Sequence, residues 1–303
     1  MFRQSRNSLP PPSYLLPPTF SFLTAVKGKA MKYSAGIIYN KSKPNAKKLA
    51  HDIAAWLKSN KCRVFVCDSH SVKAKKADFV LSIGGDGTML KVVRSFSPLS
   101  VPVKGINLGS LGFLTDTDPN EIYVLLKDIF TYGIKIEKRV LLSVEFEQNG
   151  KKVKKIATND CVVRSTSGSK LINVAVSVDK KSTTDYKCDG IIFATPTGST
   201  AYSLAASGPI VAPNLSVFIL TPICPHTLTQ RPMILSDKNE VELKANNKNK
   251  SGNILISIDG QENFYIPNDS KVKLSLYKKQ LKLIKNCSKS YFETLKTKLN
   301  WGV

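Results

Sequence analysis

The spacing of apolar positions along this chain changes partway through. From Met31 to about Gly133, short apolar runs alternate with stretches whose apolar positions recur every three or four residues. Tyr33–Tyr39, Arg63–Cys67, Ala77–Ile83 and Val101–Ile106 predict strands, the third apolar enough to be buried on both faces. Leu49, Ile53, Trp56 and Leu57 stand at helical spacing within Asn45–Ser59, and a second helix is expected through Met89–Ser95. Strands alternating with helices over short connections predict a parallel, doubly wound sheet.

Beyond Gly133 the pattern becomes mostly strand. Val140–Glu147, Lys152–Val163, Leu171–Val178, Gly190–Ala194, Val217–Leu220, Glu240–Lys244, Ile254–Ile258 and Lys271–Leu276 read as strands, with one helix near Thr200–Ser207. Lys282–Ile284 reads as a last strand. Tyr291–Leu299, with Phe292, Leu295 and Leu299 along one face, reads as a closing helix that packs back on the first domain. The expected fold is therefore α/β plus β. A doubly wound N-terminal domain (31–133) precedes a β-rich, sandwich-like domain (134–276), and a C-terminal segment (277–303) returns to the first domain. Residues 1–30 stand apart: Pro10, Pro11, Pro12, Pro17 and Pro18 break regular elements, and no acidic residue precedes Asp52. They read as a disordered tail or, given Arg3, Ser5, Arg6 and Ser8, as an organelle-targeting segment.

Composition narrows the function classes. The chain has 303 residues, enough for two domains with cores of their own, and 42% of them are hydrophobic. No stretch approaches the roughly 18 uninterrupted apolar residues of a membrane-spanning helix. The formal net charge of +23 favours anionic ligands. Yet its lysines, such as Lys151, Lys152, Lys154 and Lys155, are dispersed without interleaved aromatics, so they read as solvated faces and neither nucleic acid nor membrane is expected as a partner. Cys62, Cys67, Cys161, Cys188, Cys224 and Cys287 form no C-x-x-C pair and, with three scattered histidines, offer no zinc spacing. Reduced thiols in a cytoplasmic protein are expected.

Two glycine-centred segments carry the candidate chemistry. Gly84-Gly85-Asp86-Gly87-Thr88 lies between a buried strand and a helix. Glycines let the backbone approach a phosphate chain, Gly87 can take positive φ, Thr88 can cap the helix, and the helix N-terminus attracts anions. Asp86 adds a carboxylate that can accept a hydroxyl proton or help hold magnesium. Its place at the C-terminal end of a parallel strand is where open α/β sheets bind ligands. The second segment, Thr195-Pro196-Thr197-Gly198-Ser199-Thr200-Ala201-Tyr202-Ser203, follows the apolar strand Ile191–Ala194 and again combines glycine, small hydroxylated residues and a helix start. Tyr202 can pack against a base, while Thr200 and Ser203 can exchange hydrogen bonds with a ligand. No Walker G-x-x-x-x-G-K-[ST] and no helix-opening G-x-G-x-x-G is present.

Gly84–Thr88, Asn107-Leu108-Gly109-Ser110-Leu111-Gly112-Phe113-Leu114, Asn159-Asp160, Asp189-Gly190, Thr195–Ser203, Gly208-Pro209-Ile210-Val211, Thr221–His226 and Asp259-Gly260-Gln261 follow one another in an order that resembles the NAD kinase family in its bacterial form. Gly-Gly-Asp-Gly alone also occurs in lipid kinases and phosphofructokinases; the ordered set is specific. The resemblance implies magnesium-dependent phosphorylation of NAD to NADP by ATP or polyphosphate, in a homodimer or homotetramer. It implies Asp86 as the catalytic residue. Binding positions fall on Gly84, Gly85, Gly87, Thr88, Asn159, Asp160, Lys170, Lys187, Asp189, Thr200, Ala201, Tyr202, Ser203 and Gln261. A carboxylate such as that of Asp160 suits a vicinal diol because it accepts from both hydroxyls. Departures are modest: Ser207-Gly208-Pro209 stands where Gly-Gly-Pro is common, and the connection Asp68–Lys76 is short.

Overall fold

The computed structural model describes residues 33–166, 171–227, 229–247, 254–285 and 290–302. The expected tail, residues 1–30, lies outside them.

The first layer follows the predicted alternation: β1 (Ser34–Tyr39), α1 (Ala46–Ser59), β2 (Arg63–Asp68), β3 (Phe79–Gly84), α2 (Asp86–Phe96), β4 (Val103–Asn107), α3 (Ile122–Tyr132) and β5 (Ile136–Arg139). A β-rich stretch follows: β6 (Leu142–Gln148), β7 (Lys151–Ala157), β8 (Asp160–Ser165), β9 (Ile172–Val178), β10 (Lys181–Cys188), β11 (Gly190–Ala194), a 3₁₀ turn (Thr197–Thr200), the one-turn helix α4 (Tyr202–Ala205), β12 (Val217–Ile223), β13 (Met233–Ser236), β14 (Val241–Asn246), β15 (Ile254–Ile258), β16 (Glu262–Ile266) and β17 (Lys271–Leu276). β18 (Leu281–Ile284) and α5 (Tyr291–Leu299) close the described chain.

One sheet has the order β2-β1-β3-β4-β18-β5. Its first five strands run parallel and β5 pairs antiparallel to β18. β18 therefore brings the chain back into the first sheet, as the pattern near the C-terminus predicts. β3 is buried at every residue, because helices cover both faces. On one side Ile53, Ala54 and Leu57 of α1 meet Leu126 and Ile129 of α3; on the other Met89, Val92, Val93 and Phe96 of α2 meet Val80 and Val103. Each fully buried side chain of this size contributes roughly 1.5–3 kcal/mol.

The other two sheets, β10-β9-β14-β17-β6-β7 and β13-β12-β11-β8-β15-β16, are antiparallel. One core joins them: Val144, Val174, Leu243 and Leu274 of the first interleave with Val163, Phe193, Phe218 and Ile256 of the second. Strand alternation then fixes the sides of β8. Cys161 and Val163 enter the sandwich core, whereas Val162 joins Ile192, Ala194 and Ile219 on the outer face, the side to which Asp160 also belongs by alternation.

The expected single strand Lys152–Val163 is two strands, β7 and β8, in different sheets. The break at Thr158-Asn159 comes from a residue distant in sequence: the Asp259 carboxylate takes the N–H groups of Thr158, Asn159 and Asp160, which removes them from any ladder. The helix expected near Thr200–Ser207 is shorter and starts earlier, as the 3₁₀ turn and α4. α3, β5, β10, β13 and β16 were not among the expected elements. α3 hides its period in a nearly continuous apolar run, and β10, β13 and β16 are polar or half-buried strands at or next to sheet edges.

Candidate functional site

β3 delivers the first glycine segment to the C-terminal end of the parallel sheet. Helix α2 starts at Asp86, with Gly85 as its N-cap in an extended conformation (φ −123°) and no side-chain capping bond. Two expectations change here. Gly87 lies within the first helical turn rather than at positive φ, and Thr88 does not cap the helix. Thr88 instead packs over Gly84, where a Cβ would lie 2.5 Å from its Oγ1. A Cβ on Gly85 would meet nothing within 4 Å. Packing therefore does not require a glycine at 85, which leaves its close-approach surface open at a helix N-terminus.

The Asp86 side chain is locked by the Asn107–Leu114 motif and the residue after it. Its Oδ1 accepts from the N–H of Leu114 (3.1 Å), the N–H of Thr115 (3.0 Å) and Thr115 Oγ1 (2.8 Å), and its Oδ2 from the N–H of Phe113 (2.9 Å). Gly112 makes this possible, since a Cβ there would sit 2.0 Å from Asp86 Oδ1. The two sequence motifs are thus one structural unit, in which one loop's N–H groups aim the other's carboxylate.

The second unit is a cleft of about 480 Å³ on the outer face of the β8–β11–β15 sheet, lined among others by Asn159, Asp160, Arg164, Ala201, Tyr202, Asp259 and Gly260. Thr195 ties its walls together, donating its N–H to Asn159 O (2.9 Å) and its hydroxyl to Thr158 O (2.5 Å). Gly198 packs directly on that turn: a Cβ there would lie 2.0 Å from Asn159 O. Tyr202 stands 43% exposed at the rim, placed to cover a flat ring.

Two buried aspartates dominate the cleft's electrostatics. Asp259 is fully satisfied by the Thr158, Asn159 and Asp160 N–H groups and by Arg94 Nη1 at 3.0 Å; burial pushes its carboxyl up while these bonds pull against it. Asp160 is only 4% exposed, and among the described residues no donor bonds its side chain. Burial, then the charge of Asp259, push its carboxyl up to about 7. A shift of that size corresponds to about 4 kcal/mol of ionisation penalty. A buried carboxylate lining a cleft, with its ionisation shifted upward, marks a candidate ligand contact.

The remaining predicted positions sit as follows. Gln261 spends its amide on the protein, donating to Gly87 O at 2.8 Å and accepting from Arg94. Ser203 is fully buried and its hydroxyl shares a hydrogen bond with Thr221 (2.9 Å). Thr200 is half-buried beside the cleft residue Ala201. Lys187 and Asp189, both exposed, lie at the end of β10 and just beyond it, outside the cleft lining, and Lys170 lies outside the described residues. Arg94 and Arg164 were not anticipated; an arginine inside an amphipathic helix or a strand carries no local signal that it faces a site. A larger cavity, about 580 Å³, lies beneath α5 among Phe113, Arg139 and Tyr291 and contains none of the predicted site residues.

Comparison with known proteins bears on this geometry. Residues 68–134 match the model of the ATP-NAD kinase N-terminal domain and residues 158–286 that of the ATP-NAD kinase C-terminal domain. An NAD kinase of Syntrophotalea carbinolica is 35% identical over 281 residues, covering 88% of this chain and 98% of that one. A crystal structure of yeast NADH kinase complexed with NADH superposes with a TM-score of 0.76 at 22% identity, covering 89% of each chain. An NAD kinase from Archaeoglobus fulgidus in complex with ATP gives a TM-score of 0.72 at 28% identity, covering 88% of this chain and 98% of that one.

Proposed function

The chain belongs to the NAD kinase family, and from that premise we propose that it transfers the terminal phosphoryl group of ATP to the 2′-hydroxyl of the adenosine ribose of NAD, forming NADP, with Asp86 at the reacting hydroxyl. The observation that carries the assignment of the ribose site is the Asp160 carboxylate, buried at the cleft with no donor to its side chain among the described residues. The 3′-hydroxyl of that ribose supplies a donor that it lacks, and the single proton of the 2′-hydroxyl is left to Asp86. Tyr202 covers the base and the Asn159 side chain reads polar groups beside it. Phosphates of the donor meet the backbone of Gly84–Thr88 and the N-terminus of α2, whose dipole favours anions.

A carboxylate is too weak a base to strip an alcohol before bond formation. In a loose, metaphosphate-like transition state it need only orient the hydroxyl and collect the proton late. The four hydrogen bonds to Asp86 hold that oxygen in place. Bound with ATP, whose phosphates it prefers as ligands, magnesium would neutralise charge on the transferring group. Asp86, the carboxylate of the glycine turn, would be the side chain to touch that ion. We read the protein further as a cytoplasmic homodimer or homotetramer, divided at 31–133, 134–276 and 277–303.

The assay that tests this reading follows NADP formation from NAD with magnesium-ATP and, in parallel, with inorganic polyphosphate. Product with ATP supports the assignment, and product with both defines a broad-donor enzyme; no product with either rejects it.

Two variants probe the separate halves. Burial, then the charge of Asp259, raises the Asp160 carboxyl to about 7 in the free protein, and the ionised form is the stronger acceptor for a ribose hydroxyl. NAD binding is therefore expected to tighten by roughly tenfold as pH rises from 6 to 8, about fivefold of it below pH 7. In Asp160→Asn it should be weak and independent of pH. The raised carboxyl also means that the free protein loses stability as pH rises from about 4 to about 7, a loss the asparagine abolishes. Calorimetric titration of NAD at pH 6, 7 and 8 checks the first point; a flat wild-type profile removes Asp160 from the ribose. The second variant, Gly85→Ala, places a methyl group where nothing in the protein stands. It should melt with the wild type yet raise the KM for ATP on the order of tenfold, since a near-attack geometry tolerates little displacement. An unchanged KM would place the phosphates elsewhere.

A further inference from the structure

Asp86 and Asp160 belong to different sheets, and the reaction needs them at a fixed separation. Among the described residues, the Arg94 side chain links the elements that support both. Arg94 lies eight residues beyond Asp86 on α2, two helical turns along the same face. Its guanidinium donates through Nη1 to Asp259 Oδ2 at 3.0 Å and through Nη2 to Gln261 Oε1, with Glu262 Oε1 3.7 Å from Nε. Asp259 in turn holds the N–H groups of Thr158, Asn159 and Asp160, the turn that presents the ribose carboxylate. Gln261 returns to the first turn of α2 by donating to Gly87 O at 2.8 Å. The result is a closed ring: α2, Arg94, the 259–261 turn, and α2 again, with the 158–160 turn suspended from Asp259.

We propose that Arg94 is a positioning residue that sets the separation of the phosphoryl-transfer turn and the ribose-binding turn, an inference that rests on the reading of the site given above. Its side chain is 13% exposed and faces the interior side of the interlock rather than the cleft, whose lining it does not join. It acts through Asp259 and Gln261. The fork shape matters: a guanidinium serves both acceptors at once in one plane, whereas a lysine ammonium satisfies the charge of Asp259 without the second fixed bond.

The decisive variant is therefore Arg94→Lys, with Arg94→Met beside it. Both are compared with the wild-type chain for NAD affinity by calorimetry and for turnover per titrated NAD site, so that unfolded protein does not enter the rate. In Arg94→Lys, NAD affinity is expected within threefold of wild type while kcat falls tenfold or more, because the acceptor binds but stands misplaced. Arg94→Met removes the partner of a buried carboxylate and is expected to weaken NAD binding at least tenfold; if it does not fold, the lysine variant decides alone. A smaller fall in kcat for Arg94→Lys overturns the proposal. Wild-type protein that forms no NADP overturns the underlying reading instead, and the two failures are told apart by that control.

Discussion

Asp86→Asn is expected to cut turnover by roughly 10²–10⁴-fold, the range for a residue that handles the proton of the reacting group, while leaving NAD affinity within a few fold. The structure explains why the two effects separate. Asparagine keeps an oxygen for the N–H groups of Leu114 and Thr115, so the rotamer survives. Its amide nitrogen replaces the oxygen that now faces the Phe113 N–H, a loss of about 1 kcal/mol of stability. What disappears is the basic oxygen that orients and then receives the hydroxyl proton. The groups proposed to bind NAD lie on another sheet, around Asn159 and Asp160, and are untouched. Turnover measured per NAD site, with melting curves for both proteins, checks this. A variant that works at near wild-type speed ends the role of Asp86.

The second large effect is expected from Gly198→Ala. Gly198 is not at positive φ, so its glycine is required for space alone. The added Cβ would lie 2.0 Å from Asn159 O, 2.5 Å from its carbonyl carbon and 2.7 Å from its Cα, all of them backbone atoms. Side chains turn away from such a contact, but this backbone is pinned by Asp259 through its N–H groups and by Thr195 through its carbonyls. The clash must therefore push apart the two walls of the cleft. Overpacking of this kind costs roughly 1–3 kcal/mol of stability, and NAD binding should weaken at least tenfold as the walls separate. Calorimetry and thermal melting report the two together. Wild-type NAD affinity in the alanine variant would mean that this wall does not touch the dinucleotide.

Much of this architecture was legible from the order of residues. β3 and α2 announce themselves by an apolar run followed by glycines and helical spacing, and the capping box of Ser290 and Glu293 marks the start of α5 where the periodicity put it. The parallel sheet and the sandwich followed from the change of period near Gly133. The importance of Asp160, which lines the cleft, was legible only through the resemblance, because Asn159-Asp160 reads locally as an ordinary turn. Long-range partners were not legible at all. Nothing near Thr158 says that a carboxylate about a hundred residues later will take its N–H and split one expected strand into β7 and β8. Nor does the sequence around Arg94 reveal that it bridges to Asp259 and Gln261. For Gln261 and Ser203 the motif marked residues whose side chains, in this structure, bond other protein groups.

In the proposed geometry NAD lies with its adenosine ribose on Asp160 and its 2′-hydroxyl toward Asp86. The most direct test is to incubate the full chain with NAD and magnesium-ATP and locate the new phosphate by phosphorus NMR, with reduction by an NADP-specific dehydrogenase as a second readout. The account predicts a single product carrying its phosphate on the 2′-oxygen of the adenosine ribose. A product phosphorylated at any other position, or none from protein that binds NAD, would contradict it.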